Sequence, residues 1–102
     1  MNFGERIQTY TDAIDTWGID NQVFMVVEEC GEVLNALAKF KRGRVSKSDV
    51  ITELADVSIM MEQMATYFGL EEYINEKERK LKRLRERIET YRKNAGNDTR
   101  ET

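Results

Sequence analysis

Apolar residues recur along this chain at helical spacing, and breaks in the rhythm divide it into four segments. Phe3, Ile7, Tyr10, Ile14 and Trp17 share one face and predict a first helix over about residues 2–16, closed by Gly18. A second helix is expected over about 20–41, with Asp20 as its N-cap residue. Val23, Val26, Val27, Cys30, Leu34 and Leu37 give it one wide apolar stripe, the expected core face. Met25, Val33, Ala36 and Phe40 lie outside the centre of that stripe, and Glu29 and Glu32 share this second sector with them. A short basic turn over 41–47 follows. Ser46 or Ser48 then caps a third helix over about 48–68, with Val50, Leu54, Val57, Met61, Met64 and Phe68 as its core stripe. Glu53 lies beside that stripe, and Asp56 is one step further round, in line with Met60 and Tyr67. In the fourth segment, over about 70–93, Leu70, Ile74, Lys77, Leu81, Leu84, Ile88 and Tyr91 alternate by four and three. That is a heptad seam, interrupted by the cation of Lys77. Residues 94–102 are polar and are expected to form a frayed tail. Short connections favour antiparallel neighbours. The expectation is therefore an all-α, four-helix bundle-like domain over 1–93, followed by the tail.

Composition narrows the chemistry. A chain of 102 residues supports one modest core. It contains no histidine, which removes the usual zinc sites, the Ser-His-Asp and Cys-His nucleophile systems and the Glu-x-x-His repeats of di-iron bundles. The one cysteine, Cys30, cannot form an intrachain disulfide; it fits a reducing cytoplasm and reads as a small hydrophobe in its stripe. A net charge of −3 drives no association with nucleic acid, and the basic turn is too short for a nucleic-acid footprint. No apolar run reaches signal-peptide or membrane-spanning length. The expected setting is cytoplasmic, with neither membrane nor nucleic acid as partner.

Four carboxylates carry the strongest chemical signal. Glu28-Glu29-Cys30-Gly31-Glu32 reads EExxE, and Glu53-Leu54-Ala55-Asp56 reads ExxD. Residues three apart lie on one helix face, so Glu29/Glu32 and Glu53/Asp56 each form a claw of oxygens. Both claws border apolar residues, and antiparallel packing of the second and third helices sets them opposite each other. Like charges so placed call for a cation, and an all-oxygen set suits a hard divalent ion, Mg²⁺ above all, with Mn²⁺ a possible substitute. Trp17, Tyr10 and Phe24 are candidates to stack a nucleobase or to fill the core.

These residues carry a resemblance. EECGEVLNALAKFKRGR followed by ITELADVSIMMEQMATYFG resembles the MazG-like nucleoside triphosphate pyrophosphohydrolases, in their compact single-domain form. The likeness covers residues 23–83. It implies an all-α fold and Mg²⁺-dependent conversion of an NTP or dNTP to the monophosphate and pyrophosphate. It implies Glu29, Glu32, Glu53 and Asp56 as metal ligands, with catalytic roles for Glu28, Glu29 and Glu53, Glu28 standing behind the ligands or orienting water. It also implies a phosphate-holding cluster, which Asn75, Lys77 and Lys80 match more loosely, because Leu81 stands where a further basic residue often appears. Dimers or dimers of dimers are implied as well, in keeping with a second helix that is apolar around two sectors. Two other readings use the same residues differently. One is a non-catalytic helical interaction module docking through the fourth-helix heptad seam. The other is a structural divalent-cation site without turnover.

Overall fold

The structure is a computed structural model that describes the backbone of residues 1–101 and the side chains of residues 1–96. Among the described residues there are four helices and no strand, so the chain is all-α. They are α1 (Phe3–Trp17), α2 (Ile19–Lys41), α3 (Lys47–Phe68) and α4 (Leu70–Glu101). The chain divides into two compact units, residues 1–68 and residues 69–102.

Local chemistry sets the helix ends. Asn2 caps α1: its side chain accepts from the Glu5 backbone N–H at 2.8 Å. Gly18 alone separates α1 from α2, at φ 87° and ψ 146°, a conformation that L side chains rarely adopt. Gly18, not Asp20, is therefore the N-cap position of α2, and Asp20 sits in its first turn. There its negative charge opposes the positive end of the helix dipole. Ser46 caps α3 in a reciprocal box: the Asp49 N–H donates to Ser46 Oγ at 3.2 Å, and the Ser46 N–H donates to Asp49 Oδ2 at 2.9 Å. Donation to its carboxylate from the Ser46 backbone N–H and from the Ser46 hydroxyl holds Asp49 below its ordinary pKa.

In the first unit the hydrogen bonds fix direction. Gln22 of α2 meets Gln63 of α3, while Glu29 lies with Glu53 and Asp56. As α2 advances, its partners on α3 run backward, so the two helices are antiparallel, as expected. The face of α2 turned toward α3 is not the expected one. Gln22 and Ala36 are buried, and Val26, Glu29 and Val33 are half-buried. These positions step by four and three, a seam of their own. The parallel seam of Val23, Val27, Leu34 and Leu37 is exposed, Leu34 by 68% and Val27 by 64%. On α3, Met60 is buried and Val50, Glu53, Val57 and Met64 are half-buried, whereas Leu54, Met61 and Phe68 of the expected stripe are exposed. The reason lies in α2, which is apolar on two sectors. The series that carries Gln22, Glu29 and Ala36 is turned inward, and the purely apolar series is left exposed. α1 joins through Tyr10, 5% exposed, whose hydroxyl donates to Glu62 of α3. Burial first, then the hydrogen bond and charge of Glu62, raises the Tyr10 hydroxyl to about 12.

The second unit is helix α4. It runs to Glu101, past the boundary near 93 that composition suggests, because Asn94 and Gly96 weaken a helix without stopping it and no proline intervenes. The expected tail is thus helical through Glu101, and Thr102 lies outside the described residues. The seam residues Ile74, Leu81 and Leu84 are about half exposed. No helix among the described residues is long and apolar enough to cross a membrane.

Two glycines test this reading with opposite signs. Gly18→Ala is expected to destabilise the fold by about 1–3 kcal/mol, the strain of that backbone region. Gly31, in the interior of α2, has nothing within 4 Å of an added Cβ, so Gly31→Ala should stabilise by about 0.5–1 kcal/mol. Urea unfolding followed by helical circular dichroism measures both.

Candidate metal centre

Glu29 occupies the inner seam of α2, seven residues after Gln22, and Glu53 occupies the inner seam of α3, four residues before Val57. Each is half-buried, while Asp56, one turn on from Glu53, is exposed at the edge. One carboxylate oxygen from each of the three lies within 4.8 Å of the other two. Neighbouring oxygens on a Mg²⁺ octahedron stand about 3 Å apart, so one hard cation would draw the three carboxylates closer together. Glu29 Oε2 and Glu53 Oε2 are out of solvent and have no hydrogen-bond partner. Oxygens in that condition cost stability unless something satisfies them. Among the described residues the ion pairs are Glu76–Arg79 and Glu76–Lys80, both on α4, and neither involves the cluster.

Electrostatics agrees with geometry. Burial pushes the Glu29 carboxyl above its ordinary pKa, and the neighbouring carboxylates of Glu32, Asp56 and Glu53 push it further. Burial likewise raises Glu53, with Glu32 and Asp56 adding to it. Glu32 is exposed and is not among the three residues whose oxygens converge, yet it acts on both half-buried members. The seam thus brings together three of the four expected ligands and sets the fourth beside them. An all-oxygen, histidine-free set of this kind fits Mg²⁺ or Mn²⁺ and leaves softer metals without a preferred ligand.

Glu28 points elsewhere. It lines a cavity of about 720 Å³ between α1, α2 and α3, with Trp17, Phe24, Met25 and Ile59 among its walls. All three aromatic candidates, Tyr10, Trp17 and Phe24, line this cavity. Tyr10 belongs to the core, and Trp17 and Phe24 are 61% and 69% exposed. Asn75, Lys77 and Lys80 are carried by α4 in the second unit. Lys77 and Lys80, three apart, share a face, and Asn75 lies round the helix from both. The Lys77 ammonium sits 5.7 Å from the centre of the Tyr73 ring, and Lys80 lies 4.0 Å from Glu76. The buried amides of Gln22 and Gln63 escape a search for hydrophobic stripes, because glutamine reads as surface. Their one signal is position: Gln22 begins the four-three series that runs through Val26, Glu29, Val33 and Ala36.

No protein-family model matches the chain, and no curated protein or solved structure matches it.

The raised carboxyl groups yield a pH signature. Glu29 and Glu53 bind protons more readily folded than unfolded. Their destabilising contribution therefore appears above the ordinary carboxylate pKa and is complete above the raised one. Lowering the pH of metal-free protein from about 7 to about 5 should thus stabilise the wild type relative to the Glu29→Gln/Glu53→Gln variant. Saturating Mg²⁺ should remove that difference in slope, because metal and proton compete for the same oxygens. Melting temperatures across this range, with chelator and with Mg²⁺, measure it. Parallel metal-free curves for the two proteins would contradict the assignment.

Proposed function

We propose that the chain is a MazG-like nucleoside triphosphate pyrophosphohydrolase, which hydrolyses an NTP or dNTP to the monophosphate and pyrophosphate with Mg²⁺. The observation that carries this reading is the pair of half-buried glutamates, each with an orphaned oxygen, brought together with Asp56. A structural protein gains nothing from two unpaired carboxylates in a helix seam.

Glu29, Glu53 and Asp56 hold the metal, and Glu32 adds a fourth carboxylate at the rim. When bound, Mg²⁺ neutralises triphosphate charge and acidifies a coordinated water. The remaining work falls to the chain. With no histidine present, proton removal falls to a carboxylate, to bulk water or to the metal's own acidification, and Glu28, which lines the cavity and is not one of the converging ligands, would serve only to orient water. The half-buried seam excludes bulk solvent from the inner oxygens, which strengthens every charge interaction made there.

The exposed seam of Val23, Val27, Leu34 and Leu37 favours self-association, and the reading includes a two-fold homodimer or homotetramer. The competing reading, a non-catalytic module docking through α4, draws on the half-exposed Ile74, Leu81 and Leu84. Turnover separates the two.

Glu53→Gln is expected to reduce Mg²⁺-dependent pyrophosphate release from a panel of NTPs and dNTPs by about a hundredfold or more while leaving the helical signal intact. Near-wild-type release at limiting Mg²⁺ would remove the metal site from catalysis. Metal-dependent stabilisation without any pyrophosphate would leave a structural cation site. Light scattering at micromolar concentration should give a multiple of the 11.9 kDa chain mass. A single-chain mass would contradict the assembly.

A further inference from the structure

Gln22 of α2 and Gln63 of α3 are buried to 6% and 4% exposure. Gln22 Nε2 donates to Gln63 Oε1 at 2.7 Å. That bond uses half of each amide. A glutamine side chain offers an acceptor oxygen and a two-proton donor. Gln22 Oε1 and the second N–H of Gln63 Nε2 are therefore left over, and neither is among the buried atoms that lack a partner, so both keep access to the cavity. Both residues line the cavity of about 720 Å³. Glutamine is seldom this buried, so two amides that share one bond and keep hydrogen-bonding capacity toward a cavity are unusual at core positions. Two such amides, joined side by side at an open cavity, make sense as the polar floor of a binding site. The rest of the cavity suits that role. Its volume falls within the roughly 300–1,000 Å³ typical of ligand pockets, its walls are mainly apolar and its polar groups are few. Trp17 and Phe24 line it with largely exposed side chains, and Glu28, the sequence neighbour of Glu29, lines it too.

We infer that this cavity takes the heterocyclic base of a nucleotide, with the Gln22–Gln63 amide pair reading the hydrogen-bonding edge of the base and Trp17 and Phe24 supplying stacking faces. The identity of the ligand rests on the nucleotide reading above; the site itself rests on the amides and the cavity. Each common base presents a donor and an acceptor side by side on its pairing edge. In cytosine and adenine they are an amino group and a ring nitrogen; in thymine, uracil and guanine, a ring N–H and a carbonyl. The coupled amides match either order. As drawn, Gln22 offers an acceptor and Gln63 a donor. If both amides rotate together, the roles exchange and the bond between them survives. Gln63→Glu removes that freedom. The carboxylate must accept from Gln22 Nε2, which leaves two acceptors facing the cavity. Only guanine answers with two adjacent donors, N1–H and N2–H.

Trp17 is the one tryptophan of the chain, so its fluorescence reports the cavity directly. The full-length protein is titrated with the four 2′-deoxynucleosides, without phosphate or metal, and corrected for inner-filter absorption. At least one should quench Trp17 saturably. Gln22→Leu and Gln63→Leu should weaken that binding by about tenfold while keeping the helical signal. Gln63→Glu should move deoxyguanosine up the ranking relative to wild type. The absence of a saturable quench with every nucleoside, or unchanged affinity in folded leucine variants, overturns the inference. If neither leucine variant folds, an unchanged ranking in Gln63→Glu overturns it. The assay needs no turnover. Nucleoside binding through the glutamines without pyrophosphate release would keep this site and remove the catalytic reading; pyrophosphate release without nucleoside binding would do the reverse.

Discussion

Two carboxylates of one sign, facing each other across a helix seam without a counter-charge, constrain the rest of this structure. Glu29 and Glu53 stand where a helical pair ordinarily places leucine or valine. Each keeps an oxygen out of water and unpartnered, and both resist ionisation as a result. A fold that keeps such a pair forgoes stability that two apolar residues would supply. The arrangement becomes favourable when a cation fills it, because attraction to the ion replaces repulsion and the orphaned oxygens gain a partner. The antiparallel register of α2 and α3 is pinned by Gln22 against Gln63 and brings Glu29 near Glu53 and Asp56.

The same constraint explains why α2 carries two parallel four-three series. One, through Gln22, Val26, Glu29, Val33 and Ala36, faces α3 and bears the polar chemistry. The other, through Val23, Val27, Leu34 and Leu37, is purely apolar and exposed. A helix that gives its inward face to function must find its hydrophobic stabilisation elsewhere. The apolar buried set of the described residues is correspondingly small: Tyr10, Ala36, Met60 and Ala65. Hydrophobic burial is the main favourable contribution to folding, and the association proposed above would add to it.

The helices were legible because their signals are local. Periodicity marks four segments, Gly18 and Gly69 take positive φ between them, and Ser46 with Asp49 closes a capping box that three-residue spacing makes visible. The carboxylate cluster was legible too, since ExxE and ExxD on antiparallel neighbours leave few other arrangements. Which face of α2 turns inward was not. Hydropathy ranks the valine–leucine series above a series containing glutamine and glutamate, and it ranks residues without knowing what will satisfy them. The same blindness hides Gln22 and Gln63, whose burial depends on a long-range bond between residues 41 positions apart. The far end of α4 was misjudged for a different reason. Asn94 and Gly96 lower helix propensity, but propensity alone does not end a helix that no proline or cap interrupts.

The central claim is that Glu29, Glu53 and Asp56 form one divalent-cation site, and the side-chain carboxyl carbons report on it most directly. In ¹³C-labelled protein at neutral pH, Mg²⁺ titration should shift the Glu29, Glu53 and Asp56 carboxyl resonances together along one saturable curve, with release of protons from the half-buried pair. Exposed carboxylates elsewhere, such as Glu5 and Glu71, should move only weakly and without saturation. If the three resonances respond no more than these surface groups do, the seam is not a metal site, and the unpaired carboxylates require another explanation.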